Sequence, residues 1–369
     1  MNHPAWIEID LRIFKKNLRI IKQHIASSQL CLVVKANAYG HGLIEIAQAA
    51  QEAGVDRLAV AHTSEGVQLR RSGIKIPILV LGAIHEEQIS DLLQHQLECS
   101  LSSEFKADLL GQHCSELNQR CKVHLEIDTG MRRTGIRAEN AHILFKNIVK
   151  KSNLDLVGIY SHFSDSSLET GKQTTEMQLR SFLHAVDPML TSLEPKPLLH
   201  IANSGAICNF QNTHLDMVRC GILAFGYFQG NKDWMKDIKP FFSLKARISY
   251  FKAVEGGKGI SYGHSYAPKE LTRIITVPVG YGDGFRRALA NKASVLVRGE
   301  RKPIVGAICM DQFMVDIGKS EAFVGEEVVL LGSQNESSIS LEEMSEYCDT
   351  IPYEILCGFN NRLPRIYRK

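Results

Sequence analysis

Residues 1–230 carry eight short apolar runs, and most are followed by a helical pattern. The runs are Leu30–Ala36, Leu58–Ala61, Ile78–Leu81, Leu97–Leu101, Val123–Ile127, Leu156–His162, Leu198–Ala202 and Met217–Ala224. The first reads L-C-L-V-V-K-A without a polar break before its lysine, as a strand buried on both faces should. Ahead of it, Phe14, Leu18, Ile21 and Ile25 share one helical face behind Asp10, a residue type that caps helices. Strands that alternate with helices must run parallel, and eight of them close most simply into a barrel. The first four helical connections are clear and the later ones less so.

After about residue 241 the helices thin out. Strand-like runs follow at Phe242–Ala253, Ile274–Val279, Ser294–Val297, Ile304–Val315 and Val328–Leu331, with glycine turns between them and one clear helix at Ser340–Tyr347. The expected fold is therefore α/β: a (β/α)8 TIM-like barrel over residues 11–235 with a separate C-terminal all-β domain over residues 236–369. The early run Trp6–Asp10 does not fit the barrel count, so residues 1–10 are expected to pair into the β domain.

A length of 369 residues, 44% hydrophobic and 22% charged, is that of an ordinary globular chain with room for an internal site. A net charge of +3 is too small and too mixed to argue for nucleic acid or an anionic membrane as partner. No run of ~18 apolar residues and no leader pattern occurs. Nine scattered cysteines, none in C-x-x-C spacing, argue against a disulfide framework and a zinc cluster, so the cytoplasm is the expected compartment. No metal or nucleotide motif is present.

Reactive groups of such barrels sit at the C-terminal ends of the strands. Those ends supply Lys35, then Asp128 with Arg132 and Arg133, Ser161 and His162, then His200, Asn203 and Ser204, and finally Arg219 and Gly221. One amine, several donors and two or three arginines suit an anionic ligand and a carbonyl. A lysine ending a strand ordinarily reaches solvent. Held among apolar residues it gives up its proton more readily and becomes a nucleophile able to form a Schiff base. The A-N-A-Y-G-H-G that follows Lys35 favours the second reading, because its glycines let backbone approach a ligand.

The run Val34-Lys35-Ala36-Asn37-Ala38-Tyr39-Gly40-His41-Gly42 closely resembles the pyridoxal-phosphate lysine motif of the alanine racemases. The resemblance spans the chain, through Asp128-Thr129-Gly130-Met131, Ser161-His162-Phe163, Ala202-Asn203-Ser204, Val218-Arg219-Cys220-Gly221-Ile222, Ser261-Tyr262-Gly263, Gly280-Tyr281-Gly282-Asp283-Gly284, Cys309-Met310-Asp311-Gln312 and Ile351-Pro352-Tyr353-Glu354. It implies a barrel plus a β domain, and interconversion of L- and D-alanine on a Schiff base with pyridoxal 5'-phosphate. Lys35 and Tyr262 would be the two proton-handling groups, on opposite faces of the substrate carbon. Lys35 would also hold the cofactor. Arg219 would face its ring nitrogen, and His162 would stand between Arg219 and Tyr262. Tyr39, Asn203, Ser204, Gly221, Ile222 and Tyr353 resemble the remaining cofactor set. Arg133 and Met310 resemble substrate contacts, with His200, Tyr281 and Asp311 in support.

The resemblance also implies a homodimer in which Tyr262 and Met310 come from the neighbouring subunit, and D-alanine supply for peptidoglycan. Two departures matter. Many family members carry a lysine that becomes carbamylated where this chain has Glu126, and Glu126 reads as a built-in anion in its place, orienting Arg133, or else as a member of another pair. Arg132 stands where glycine is common, and the spacing T-G-M-x-R-x-G assigns the ligand role to Arg133. The alternatives are a racemase of serine or of a broader set of amino acids on the same scaffold, and a non-catalytic pyridoxal-phosphate carrier. The carrier lacks a β domain and a counterpart of Tyr262.

Overall fold

The computed structural model describes residues 3–191, 193–228 and 232–369. By contact the chain forms two compact units. One comprises Ile13–Ala38 and Leu43–Pro240; the other comprises residues up to Arg12, Tyr39–Gly42 and Phe241–Lys369.

The larger unit is a nearly closed barrel of eight parallel strands: Gln29–Val33, Arg57–Val60, Ile78–Val80, Glu98–Leu101, Cys121–Asp128, Leu154–Tyr160, Leu198–His200 and Met217–Cys220. The last strand pairs back onto the first, with Met217 opposite Gln29. The seam beside it is joined by two backbone bonds, from Asp216 N–H to Leu199 O at 3.1 Å and from Arg219 N–H to Ala202 O at 2.9 Å. Most of the short strands are buried along their whole length, which is why they read as continuous apolar runs. Outside them, the helix Leu11–Ile25 turns Phe14, Leu18 and Ile21 inward with no exposed area. Each such side chain contributes roughly 1.5–3 kcal/mol by burial. Phe14 stacks on Phe225 at 6.1 Å. Asn17, fully buried on the same helix, donates to Ala224 O and Lys239 O and accepts from Lys239 N–H, so its burial leaves no polar atom unmet.

The second unit is built on a ten-stranded sheet. The strand Ala5–Asp10 lies inside it, antiparallel to Phe242–Arg247 and parallel to Arg365–Arg368. The segment Tyr39–Gly42 belongs to this unit as well. The Tyr39 ring sits 5.9 Å from that of Tyr353, Gly40 O accepts from Arg365 Nε at 2.8 Å, and the buried His41 ring packs on Phe241 and Phe242. Gly40 has φ +78° and no room for a Cβ beside Leu356 O, so only glycine fits there.

Several boundaries differ from the sequence reading. The final barrel strand stops at Cys220, because Gly221–Gly226 is a buried turn whose apolar side chains imitate strand. Phe242–Ala253 is two strands, Phe242–Arg247 and Tyr250–Val254, and Ile304–Val315 divides into Glu300–Val305 and Phe313–Gly318 around the turn that carries Met310. A second helix, Pro352–Gly358, opens on the proline that suits a first helical turn.

Candidate active site

Lys35 is half-buried two residues beyond the end of the first barrel strand. The chain then makes a left-handed turn: Ala36, Asn37, Ala38 and Tyr39 have φ of +53°, +56°, +51° and +51°. Such geometry costs roughly 1–2 kcal/mol per residue outside glycine. Its supports are local. Glu65 Oε1 accepts from Ala36 N–H at 2.7 Å, Asn37 Oδ1 accepts from Leu43 N–H at 2.9 Å, and Ala38 N–H donates to Val34 O at 2.9 Å. Strain held this firmly beside a lysine marks a functional position.

Arg219 is 3% exposed and is held from two sides. Its NH1 donates to His200 Nδ1 at 2.8 Å and to His200 O at 3.2 Å; its NH2 donates to Ser161 O at 2.7 Å and to His162 Nδ1 at 3.1 Å. The guanidinium also lies over the Tyr160 ring, 5.0 Å from its centroid. The terminal nitrogens are thus engaged, and among the described residues the Nε–H has no acceptor. Burial, then the charges of Arg219, Arg133 and Lys35, push the His162 imidazole down to about 3, so it is neutral. Its Nδ1 accepts from Arg219 and its proton therefore sits on Nε2. The four groups are close enough to feel one another, as the barrel-mouth reading requires.

Ser204 Oγ accepts from Gly221 N–H at 2.9 Å and from Leu223 N–H at 3.4 Å. Ile222 is 2% exposed, and among the described residues its N–H has no acceptor. Asn203 caps the following turn by accepting from Ala206 N–H at 3.1 Å.

Glu126 is not on Arg133. Its Oε1 accepts from Thr134 Oγ at 2.7 Å, and no ion pair joins it to an arginine among the described residues. Burial raises its carboxyl, opposed first by that bond and then by the Arg219 charge. Arg133 is exposed and lines a polar cavity of about 1010 Å³ together with Asp128, Thr129 and Arg137. No hydrogen bond or ion pair joins Glu126 to Arg133 among the described residues, although the Arg133 charge is among those that act on its carboxyl.

In the β unit, Tyr262 is 78% exposed at the tip of a loop clamped by Ile260 and Tyr266, whose backbones pair at 2.8 Å. Ser261, Gly263 and His264 all have positive φ, which throws the phenol outward. Tyr266 Oη donates to Asp316 at 2.6 Å and anchors the loop's base. Ser261 Oγ donates to Ala307 O at 2.7 Å and lies 3.6 Å from Cys309 Sγ, which ties this loop to the one bearing Met310. The Met310 loop is in turn bonded to the Tyr281 loop, through Tyr281 N–H to Cys309 O at 3.1 Å and Gly282 N–H to Met310 O at 2.8 Å. Asp311 pairs with Arg362 at 2.7 Å, and the same arginine reaches Asp283 at 3.2 Å. Tyr262, Tyr281 and Met310 thus emerge on three linked loops, while the Met310 N–H has no acceptor among the described residues.

The sequence reading missed Arg57, Glu98 and His124, which continue inward from His200. Their signal was a charged or polar residue inside an otherwise apolar strand. Burial alone would raise the Glu98 carboxyl, but the hydrogen bond and the field of His124, then the Arg57 charge, hold it at about 2. Burial pushes His200 and His124 down, and Arg219 adds to it for His200. Arg57 is the permanent cation paired with Glu98.

These buried groups make stability acid-sensitive. His162 is neutral when folded down to about pH 3, whereas an unfolded histidine binds its proton near 6.5, so acid favours unfolding from pH 6.5 downward. Glu98 contributes stability that is complete above 4.5 and is lost as pH falls toward 2. The melting temperature should be level near pH 7.5 and fall continuously from about pH 6.5 to 3.5 when followed by circular dichroism. A flat profile over that range would contradict the assigned charge states.

The chain matches the family descriptions "Alanine racemase, N-terminal domain" over residues 9–229 and "Alanine racemase, C-terminal domain" over residues 241–367. It is 40% identical to the alanine racemase of Halothermothrix orenii, covering 100% of this chain and 98% of that relative. It is similar to the solved alanine racemase of Clostridium difficile 630, with a TM-score of 0.92 at 34% identity over 100% of this chain and 96% of the other. The alanine racemase of Bacillus anthracis with bound L-Ala-P gives a TM-score of 0.91 at 34% identity over the same shares. Family match, whole-length identity and superposable fold agree, and the chain belongs to the alanine racemases, isomerases that interconvert L- and D-alanine with pyridoxal 5'-phosphate as cofactor.

Proposed function

We propose that Lys35 and Tyr262 are the two proton-handling groups of this racemase and that the site is shared between the subunits of a homodimer. Residues 11–235 hold the cofactor, and residues 236–369 carry Tyr262 and Met310 to the barrel mouth of the other subunit. The observation that carries this reading is the pair of incomplete halves. The barrel brings Lys35, Arg219 and His162 within one another's field, and the phenol beside them, that of Tyr160, is buried under Arg219 and donates to Ser100 Oγ. The β unit thrusts a phenol 78% into solvent on loops that are otherwise firmly tied.

The residues fit the cofactor. An unspent Nε–H on a buried guanidinium suits a ring nitrogen as acceptor, and an unspent buried N–H at Ile222 beside Ser204 suits a phosphate oxygen. Tyr39 and Tyr353 are the further phosphate contacts. The chemistry that pyridoxal phosphate would supply when bound is an electron sink for the substrate's Cα. Lys35 anchors the cofactor and holds or accepts a proton at Nζ. Tyr262 does the same at its phenol oxygen from the opposite face. His162 offers its Nε2–H to that oxygen. Arg219 cannot give up its proton, so it would donate a hydrogen bond to the ring nitrogen without protonating it, which would make the ring a weaker electron sink. Arg133 and the Met310 N–H bind the substrate carboxylate, and Tyr281 and Tyr353 narrow the entrance to a methyl-sized side chain.

The setting is the cytoplasm, with D-alanine passing to peptidoglycan. The test is a panel of L-alanine, L-serine, L-lysine and L-arginine read by chiral chromatography. Serine adds a hydroxyl to alanine's methyl, and a small pocket rejects such an addition by roughly tenfold to a hundredfold, so alanine should lead serine in kcat/KM by at least about tenfold. Serine or lysine turned over faster than alanine would overturn the substrate reading.

A further inference from the structure

A line of buried polar side chains runs inward from Arg219, and the chemistry above makes no use of it. His200 Nε2 lies 2.9 Å from His124 Nδ1, and His124 Nε2 lies 3.1 Å from Glu98 Oε2. Glu98 pairs with Arg57 NH1 as well. His124 and His200 have no exposed area, Glu98 is 3% exposed and Arg57 8%. Among the described residues Arg57 Nε finds no acceptor. Ions placed this deep are commonly no more stabilising than apolar residues of the same shape. Their presence asks for a reason other than stability.

The protons in this line have one consistent arrangement. Arg219 only donates, so His200 Nδ1 accepts and the His200 proton sits on Nε2. That proton points at His124 Nδ1, which leaves the His124 proton on Nε2, facing the Glu98 carboxylate. Every donor therefore points from Arg219 toward Glu98. Reversing any one bond would set two donors or two lone pairs against each other. The surroundings keep the rings in place. The Tyr160 ring stacks on His200 at 4.9 Å, and Gly158, paired across the sheet with His124, has no side chain because a Cβ there would run into the imidazole. The charges acting on the two histidines are those of Arg57, Glu98 and Arg219, while Glu126 and Arg133 act on Arg219 and Arg70 lies within the field of Glu98; burial keeps both histidines neutral.

We propose that Glu98 is a positioning residue: through His124 and His200 it fixes the tautomer that presents a lone pair to Arg219, and so aims the guanidinium whose Nε–H meets the cofactor's ring nitrogen. Arg57 keeps the carboxylate ionised at the far end. This inference rests on the reading of Arg219 as the ring-nitrogen donor.

The test uses the cofactor-loaded enzyme in two variants, Glu98→Gln and the charge-free double variant Arg57→Met/Glu98→Leu. The double variant removes both ions, so it keeps the fold where a lone Glu98→Leu would strand Arg57. Histidine 15N NMR reads the tautomers directly, and absorption spectra follow the Lys35-bound cofactor. In the parent enzyme, His124 and His200 should both carry their proton on Nε2. In the double variant the His124 Nε2–H has no acceptor, so the rings should turn or reverse their bond and release the His200 lone pair from Arg219; both histidines should then divide between tautomers, the cofactor band should shift, and kcat should fall about tenfold with KM within about twofold. Unchanged tautomers in a folded double variant would overturn the relay. Changed tautomers with an unchanged cofactor band and kcat would instead overturn the role given to Arg219.

Discussion

Lys35→Ala is expected to yield a folded protein that neither attaches the cofactor covalently nor racemises alanine. Lys35 sits half-buried at the head of a strained turn whose supports, Glu65, Asn37 and Val34, do not involve its side chain. Removing the side chain therefore leaves the turn in place. On the proposed reading it removes two things at once: the amine that anchors the cofactor and one of the two proton carriers. A positioned acid–base group alone is worth about 10²–10⁴-fold, so the loss should be about 10⁴-fold or more. Borohydride reduction of the parent enzyme, followed by peptide mapping, should place the label on Lys35 and nowhere else. Retained racemisation in the alanine variant would end the assignment.

Tyr262→Phe is expected to separate attachment from racemisation. The phenol is 78% exposed, so its loss should not disturb folding, and Lys35 should bind the cofactor as before. Racemisation should fall by about 10³-fold in both directions, since a proton removed on one face can no longer be matched by one delivered on the other. Lys35 remains able to exchange the α-proton of one enantiomer with solvent. The variant should therefore wash that proton out of a single enantiomer, with retention of configuration. Exchange from both enantiomers at similar rates would mean that the phenol isn't the second carrier.

Much of the barrel was legible because its strands are short and buried on both faces. Arg57–Val60 and Ile78–Val80 leave almost no room for a polar residue, and the run of apolar letters marks them. The same rule misled where burial came without strand. Ile222, Leu223, Ala224 and Phe225 are as buried as any strand, yet they form a turn. Period and hydrophobicity report burial, not backbone direction. Splitting Ile304–Val315 correctly needed the positive φ of Gly306, which a sequence only hints at. In the site, Lys35, Arg219 and Tyr262 stood out because their flanking motifs are long. Glu126 was read as an anion for Arg133 or else as a member of another pair, and the hydrogen bond it makes is to Thr134, eight residues away in sequence. The left-handed turn after Lys35 had no signature, since alanines at two of its positions ordinarily favour a right-handed helix. Glu98 and His124 lay unremarked inside their strand runs, because only the closed barrel shows that both point inward to the line ending at Arg219.

The most direct measurement is deuterium uptake at the α-carbon during the first few per cent of conversion of L-alanine in heavy water. Two carriers on opposite faces do not share a proton, so newly formed D-alanine should hold solvent deuterium while the remaining L-alanine holds almost none. D-alanine that retains the substrate's own α-hydrogen in large part would show one group working both faces, and would contradict the pairing of Lys35 with Tyr262.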